Sequence, residues 1–322
     1  MHPGETRTEL TMAQHFTWKG MRKTVQDVCK RCGSCQLNKT KVQKKGHLPE
    51  KEAEEIPWER VCIDTIGPYT IGNDKKPDTV MTLHCLTMID PATGWLEIAQ
   101  IPAKTADVII NVFEQEWLTR YPYPTEVVMD RGVEFMGEVR TTLRDDYGAR
   151  IKLTTTCNPQ GNSMVERAHQ TIKNMIRSQD LKVRDDLPEG QWNGVLSAIR
   201  FAMQATLHTT MRATPMQLVY GRDAIHNIRF EADWQYIKAR RQRVIRQNNE
   251  RENAKRVPHT YQVGDSVVID QPQHRKYGQP KYRGPYTVDS VNDNGTIRLR
   301  LPKGVGIVYE TWNIRNIHPY ED

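Results

Sequence analysis

Three acidic residues stand where chemistry could be done. Asp64 ends the apolar run Val61-Cys62-Ile63, Asp130 ends Val127-Val128-Met129, and Glu166 follows Asp130 with 35 residues between them. Runs of this type read as strands, and the last side chain of a strand lies at a sheet edge, where a pocket can form. Carboxylates are seldom buried unless they are paired or bind a metal. Their oxygens suit magnesium, which keeps several of its own waters and so needs few protein ligands. Two such ions roughly 3.5–4 Å apart stabilise both the attacking and the leaving oxygen of an in-line phosphoryl transfer. Asp64, Asp130 and Glu166 are therefore expected to hold two divalent cations, Mg2+ or Mn2+, with Asp64 bridging, Asp130 on one ion and Glu166 on the other. Each acid alone reads as an ordinary turn or cap residue. What separates them is the combination of the spacing with the sequence DRGVEF after Asp130 and NPQGNSMVER around Glu166. His169, one turn past Glu166, reads as a DNA-facing or solvated residue rather than a base, because metal-activated water needs no imidazole.

A second set of ligand types lies near the front. Cys32-Gly33-Ser34-Cys35 supplies two thiolates at knuckle spacing, and 29 residues lie between His2 and Cys32. Thiolate and imidazole suit zinc, which requires four ligands in a tetrahedron. Cys29 and His15 are the remaining choices within this stretch. Cys29 reads better as a buried helix position and His15 as a neighbour of Phe16, so the fourth ligand is expected before Met1. The other cysteines, 62, 85 and 157, are isolated, which fits a reducing compartment better than a disulfide framework.

The elements needed to position these residues follow from periodicity and turn residues. The chain has 322 residues, 26% of them charged, and a net charge of +7, with a pI near 9.0 and a mean hydropathy of −0.70. That length suggests two or three domains, and the basic balance suggests a polyanionic partner. No apolar run approaches the roughly 18 residues of a membrane span, and no signal-peptide pattern follows Met1. Residues 1–46 read as a small helical unit in which Phe16, Trp18 and Met21 form the core and zinc acts as a staple. Residues 47–57 read as a linker. Residues 58–210 read as an α/β domain. It has strands at 60–66, 79–89 and 95–101, separated by the turn signals Gly67-Pro68 and Pro91-Ala92-Thr93-Gly94, a helix over 106–119, a strand at 125–129, and a helix over 135–147. A strand at 151–154 and helices over 163–181 and 192–206 complete it. Three antiparallel strands followed by alternating helices and strands give an RNase H-like order. Residues 211–258 read as a helical basic linker, either a solvated face or a border to DNA. Residues 259–322 carry short strands separated by Gly284-Pro285, Asn294-Gly295 and Gly304, as in a small barrel.

These features together resemble the integrases of retroviruses and of Ty3/gypsy-type LTR retrotransposons, along nearly the whole chain and in the family's order. Asp64, Asp130 and Glu166 match the acidic triad. His2-Pro3-Gly4, Trp18, Gly20-Met21 and Cys32 to Cys35 are similar to the zinc-binding front domain, although the first of the family's two histidines has no counterpart here. Gly284-Pro285-Tyr286 resembles the GPY/F module, an SH3-like β-barrel. The resemblance implies an α/β RNase H-like core flanked by a helical zinc-binding domain (1–46, N-terminally incomplete) and that barrel. It implies two reactions on DNA, trimming of the element's 3′ ends and their transfer into target DNA. It further implies element-end and target DNA as partners, a homo-multimer of four or more copies, a host chromatin factor, and a nuclear location with a virus-like particle stage in the cytoplasm. Lys173 and Gln170, at i+7 and i+4 from Glu166, are the expected DNA contacts on that helix, with Asn162 in the preceding loop and Lys281 and Arg283 in the barrel. Trp312, Tyr286 and Tyr320 are expected in the barrel core. With Asp322 soon after the barrel, no chromodomain-like extension is expected. Two alternatives share much of this pattern: a transposase or nuclease of the same fold, and a non-catalytic domesticated DNA-binding protein.

Overall fold

A computed structural model describes the chain apart from residues 1–3, 39–43, 54–55, 72–80, 155–162, 179–188, 272–279, 304–305 and 322. The chain divides into two compact units, one made of residues 1–51 with 246–322 and the other of residues 52–245. Among the described residues, no helix is long and apolar enough to cross a membrane.

The front of the chain forms three helices, α1 (Glu5–Ala13), α2 (Met21–Arg31) and α3 (Gly33–Asn38), and a short strand β1 (Lys44–Lys45). Their own core is slight. Phe16 and Trp18, expected inside it, are 62% and 40% exposed, and Val25 is the one residue of α2 that is buried. Two polar helices cannot bury enough apolar surface to hold a core by themselves.

The second unit is a sheet with helices on both faces. Its elements are β2 (Arg60–Ile71), β3 (Met81–Ile89), β4 (Leu96–Ile101), α4 (Ala106–Phe113), β5 (Glu126–Met129), α5 (Glu138–Asp145), β6 (Arg150–Leu153), α6 (Ser163–Ser178), α7 (Glu189–Ala205) and α8 (Pro215–Tyr220). The sheet order is β4-β3-β2-β5-β6. β2, β3 and β4 are an antiparallel meander, and β5 and β6 add in parallel, as the sequence pattern led us to expect. Alternation along the strands sorts side chains to the two faces. Cys62, Ile66, Cys85 and Ile89 pack with Val165, Ala168, Ile172 and Ile176 of α6. Val61, Ile63, Leu86 and Met88 pack with Ile109, Phe113, Val139 and Leu143 on the other side. α7 is fastened to β4 by Arg200, 3.0 Å from Glu97, and by Gln204, whose amide donates to the Leu96 carbonyl at 2.8 Å. α8 opens with a capping box between Thr214 and Gln217 and closes on Gly221 at φ 63°.

Gly67-Pro68 was expected to end the first strand, but β2 runs on to Ile71 with only a shift of register between Ile66 and Tyr69. Gly67 has φ +109°, and a Cβ there would stand 2.5 Å from the Leu83 carbonyl oxygen. The glycine lets the strand buckle against β3 without breaking the pairing.

The remaining elements are α9 (Trp234–Asn253), β7 (Arg256–Val257), β8 (Ser266–Asp270), β9 (Tyr282–Asn292), β10 (Thr296–Lys303), β11 (Gly306–Asn313) and β12 (Ile317–Pro319). The five longer-range partners form an antiparallel sheet in the order β11-β10-β9-β8-β12. No pairing joins β11 to β12 among the described residues, so the SH3-like barrel is an open one. Gly284-Pro285, read as a separator, lies inside β9. Trp312 is in the core, as expected, Tyr286 packs against it, and Tyr320 is half-buried.

Parts of the two stretches read as linkers are structural. Leu48, in the assigned linker, is buried in the core of the β8–β12 sheet, and Lys44–Lys45 pair in parallel with Arg256–Val257. Among the arginines of the basic helical segment, Arg256 is buried and donates to the carbonyls of Lys45, Gly46 and Ile314. Arg241 is buried too, and donates to the carbonyls of Pro91 and Ala92 at 2.7 and 2.9 Å. Neither guanidinium is available to DNA.

Candidate active site

β2 and β5 are parallel neighbours with Cys62 opposite Val128. Two residues further along each chain come Asp64 and Asp130, so the pairing itself sets the two carboxylates side by side. Asp64 lies within β2 rather than at its end, on the face covered by α6. Its Oδ1 accepts from the Thr65 backbone N–H at 2.7 Å. Asp130 Oδ1 accepts from the Gly132 N–H at 2.8 Å, which turns the chain back towards β2. Burial first, and the charge of Asp130 second, push the Asp64 carboxyl up to about 7. A carboxyl so placed holds a proton near neutrality unless a cation compensates it.

A third carboxylate joins them, one for which sequence reasoning assigned no role. Glu134 Oε1 accepts from the Thr65 hydroxyl at 3.1 Å, and its charge also raises Asp64. Gly132 makes room for it, since a Cβ there would stand 2.6 Å from Glu134 Oε2 and 2.9 Å from Asp130 Oδ1. The sequence did contain a hint: Asp130 and Glu134 bracket a glycine within one short turn.

Glu166 sits in the first turn of α6 and is exposed. Burial alone raises its carboxyl, and the charges that raise Asp64 come from Asp130 and Glu134. The structure sets Asp64 beside Asp130, and Glu166 lies on the exposed side of α6. Among the described residues, no three His, Cys, Asp or Glu side chains are grouped closely enough to hold a metal ion.

His169 corrects the sequence reading outright. It is 9% exposed, not solvated. Its Nε2 lies 2.7 Å from the Thr87 hydroxyl and its Nδ1 3.7 Å from Asp64 Oδ2. The helix period explains this: Val165, Ala168, His169, Ile172 and Ile176 share the buried side of α6, while Glu166, Gln170 and Lys173 lie on the exposed side. Gln170 Nε2 donates to Asn174 at 3.1 Å.

Of the other expected residues, Arg283 is exposed on β9 and the Lys281 ammonium lies 5.7 Å from the Tyr282 ring centre. Cys32 and Cys35, which are not in a disulfide, lie at the α2–α3 junction and at the start of α3. His2 and Asn162 fall outside the described residues. His15 does meet Phe16, edge to face at 6.4 Å.

Comparison with known proteins agrees with this architecture. Residues 1–41 match the family described as the integrase zinc binding domain. The chain is 24% identical to the retrovirus-related Pol polyprotein from transposon 412 of Drosophila melanogaster over 340 aligned positions, which cover 98% of this chain and 26% of that polyprotein. It is 25% identical to the transposon Tf2-3 polyprotein of Schizosaccharomyces pombe over 223 positions, 68% of this chain and 16% of the relative. The chain therefore spans about a quarter or less of the length of these relatives. Its fold matches a chain of the simian T-cell lymphotropic virus intasome, solved with the PP2A regulatory subunit B56 gamma. The TM-score is 0.60 at 13% identity, over 100% of this chain and 96% of that one. The chain thus matches the integrase zinc binding domain over residues 1–41, is similar to transposon polyproteins along its length, and shares the fold of a retroviral intasome chain.

Proposed function

We propose that the chain trims the 3′ ends of an element's DNA and joins them to target DNA, with Asp64, Asp130 and Glu166 as the catalytic residues. The observation that carries this reading is the register of β2 and β5, which sets Asp64 beside Asp130 under the helix that bears Glu166. The donor set fits a hard divalent cation, since it offers carboxylate oxygens and no thiolate. When bound, a pair of Mg2+ or Mn2+ ions stabilises the charge on the attacking and leaving oxygens and lowers the pKa of a water. The chain's own residues do the rest. Asp64 presents Oδ2 while Thr65 N–H holds Oδ1, and Asp130 is aimed by its turn to Gly132. Asp64 releases its proton before both of its oxygens can act as ligands. Glu166 reaches the pair by a movement of the first turn of α6 when DNA is engaged.

DNA is bound by exposed basic and polar groups. Lys173 and Gln170, on the open side of α6 with Glu166, contact the element's end, and Asn162 is a further contact. Lys281 and Arg283 contact phosphates, a sequence-independent interaction that weakens with salt. Cys32 and Cys35 supply half of a zinc site, with His2 as a third ligand, and bracing the α2–α3 junction offsets the thin core of these helices. Two DNA ends must be joined together, which calls for a homo-multimer, and the family resemblance points to four or more copies. The reaction belongs in the nucleus, after a stage in a cytoplasmic virus-like particle, with a host chromatin factor directing the site.

A duplex carrying the element's terminal sequence, incubated with target plasmid and Mg2+, tests this reading. Joined products support it. Cutting without joining favours a nuclease, and binding with neither favours a domesticated DNA-binding protein.

A further inference from the structure

Thr87 is the cross-strand partner of Asp64 in the β2–β3 ladder. Its hydroxyl donates to the main-chain carbonyl of Asp64 at 2.9 Å. A hydroxyl has one proton to give. Thr87 Oγ1 must therefore accept from His169 Nε2, 2.7 Å away. Thr87 is fully buried and His169 nearly so, and buried polar groups of this kind keep their partners. The ring therefore carries an N–H on Nε2, and its Nδ1 edge faces Asp64 Oδ2 at 3.7 Å.

We propose that His169 is a positioning residue for Asp64: through Thr87 it fixes the β2 main chain at Asp64, and its Nδ1 edge, 3.7 Å away, limits the swing of Oδ2. It rests on the assignment of Asp64 to the reaction. Because His169 is one turn from Glu166, the same contact sets the register of the Glu166 helix on the Asp64 strand. The geometry has no slack in it. Oδ1 is held by Thr65 N–H at 2.7 Å, the carbonyl by Thr87, and Oδ2 faces the ring, so each polar atom of Asp64 beyond its N–H has an assigned neighbour.

The full chain, labelled with 15N-histidine and free of DNA, provides the test. Long-range proton–nitrogen correlation at pH 7.5 should show His169, identified by its loss in His169→Gln, as the Nε2–H tautomer. Thr87→Val should shift it to a tautomer mixture. Mn2+ titration followed by water-proton relaxation should show about 10-fold weaker binding in His169→Ala, with affinity restored in His169→Gln, whose amide can still donate to Thr87. Melting curves identify any variant that fails to fold, and Thr87→Val then serves alone. An Nδ1–H tautomer in the wild type, or unchanged Mn2+ affinity in folded His169→Ala, overturns the proposal. Both measurements need no DNA. A chain that passes them yet joins no DNA would refute the proposed function and leave this inference standing.

Discussion

The Thr87 hydroxyl bridges the Asp64 carbonyl and the His169 ring, at 2.9 and 2.7 Å, and so ties the central strand of the sheet to the helix that bears Glu166. Two acids distant in sequence are thereby held in one frame before any cation or DNA arrives. The exposed carboxylate of Glu166 is then the part left to move.

Glu166→Gln should abolish both end trimming and joining, by at least about 1000-fold, while leaving DNA affinity within a factor of about two. An amide keeps the shape of the side chain and removes a hard anionic oxygen. Filter binding and gel assays of the two reactions separate the effects, and residual joining near the wild-type rate would remove Glu166 from the chemistry.

Glu134 acts on Asp64 by charge and through Thr65. Glu134→Gln keeps an acceptor for the Thr65 hydroxyl and removes the charge, so the Asp64 carboxyl should fall towards its ordinary value. Thr65→Val removes the hydroxyl and leaves the charge. Carbon-13 titration of Asp64 should therefore respond to the first substitution much more than to the second. Equal, negligible responses would show that Glu134 and Asp64 are not coupled.

Stability should depend on pH in a direction set by Asp64. Its carboxyl titrates at about 7 when folded, against 3.8 ordinarily. Between these values the folded chain holds a proton that the unfolded chain has released, so stability falls as pH rises through this window and the full penalty stands above pH 7. His169 works the other way: lowered from 6.5 to about 4, it makes stability rise with pH between those values. Asp64→Asn should therefore stabilise the cation-free chain at pH 8, by on the order of 2 kcal/mol, and give little gain at pH 4. Denaturant melts at the two pH values check this, and a gain at pH 4 equal to that at pH 8 would contradict it.

Much of this was legible in the sequence, and the misses have definite causes. The strands around Asp64 and Asp130 were readable because apolar runs and turn residues are local. Which residues share a helix face was also readable, and it placed Glu166, Gln170 and Lys173 together. The same helix period, applied one residue earlier, would have put His169 with Val165 and Ile172 on the buried side. It was misread because histidine's polarity was given more weight than its position. Leu48, Arg241 and Arg256 lie in polar stretches, and their burial comes from contacts distant in sequence, which composition cannot show. Gly67-Pro68 and Gly284-Pro285 looked like turns because glycine and proline usually punctuate strands. Here they lie inside β2 and β9, where neighbouring strands continue the ladder on either side.

Gly67 offers a test of that last point. Its φ of +109° and the Leu83 carbonyl 2.5 Å from any Cβ leave no room for a side chain. Gly67→Ala should cost about 2 kcal/mol or more, read as a lower denaturant midpoint, whereas Gly4→Ala, with open space around it, should change little. Equal midpoints for the two variants would show that β2 does not buckle here.

The central claim is that Asp64, Asp130 and Glu166 jointly carry a cation-dependent joining of DNA ends. Its most direct measurement is strand transfer of a pre-trimmed terminal duplex into plasmid, with Mg2+ and with chelator, for the wild type and for Asp64→Asn, Asp130→Asn and Glu166→Gln. Joined product from the wild type with Mg2+, lost with chelator and in each variant, is the predicted result. Joining that survives chelation, or any one of the three substitutions, would contradict it.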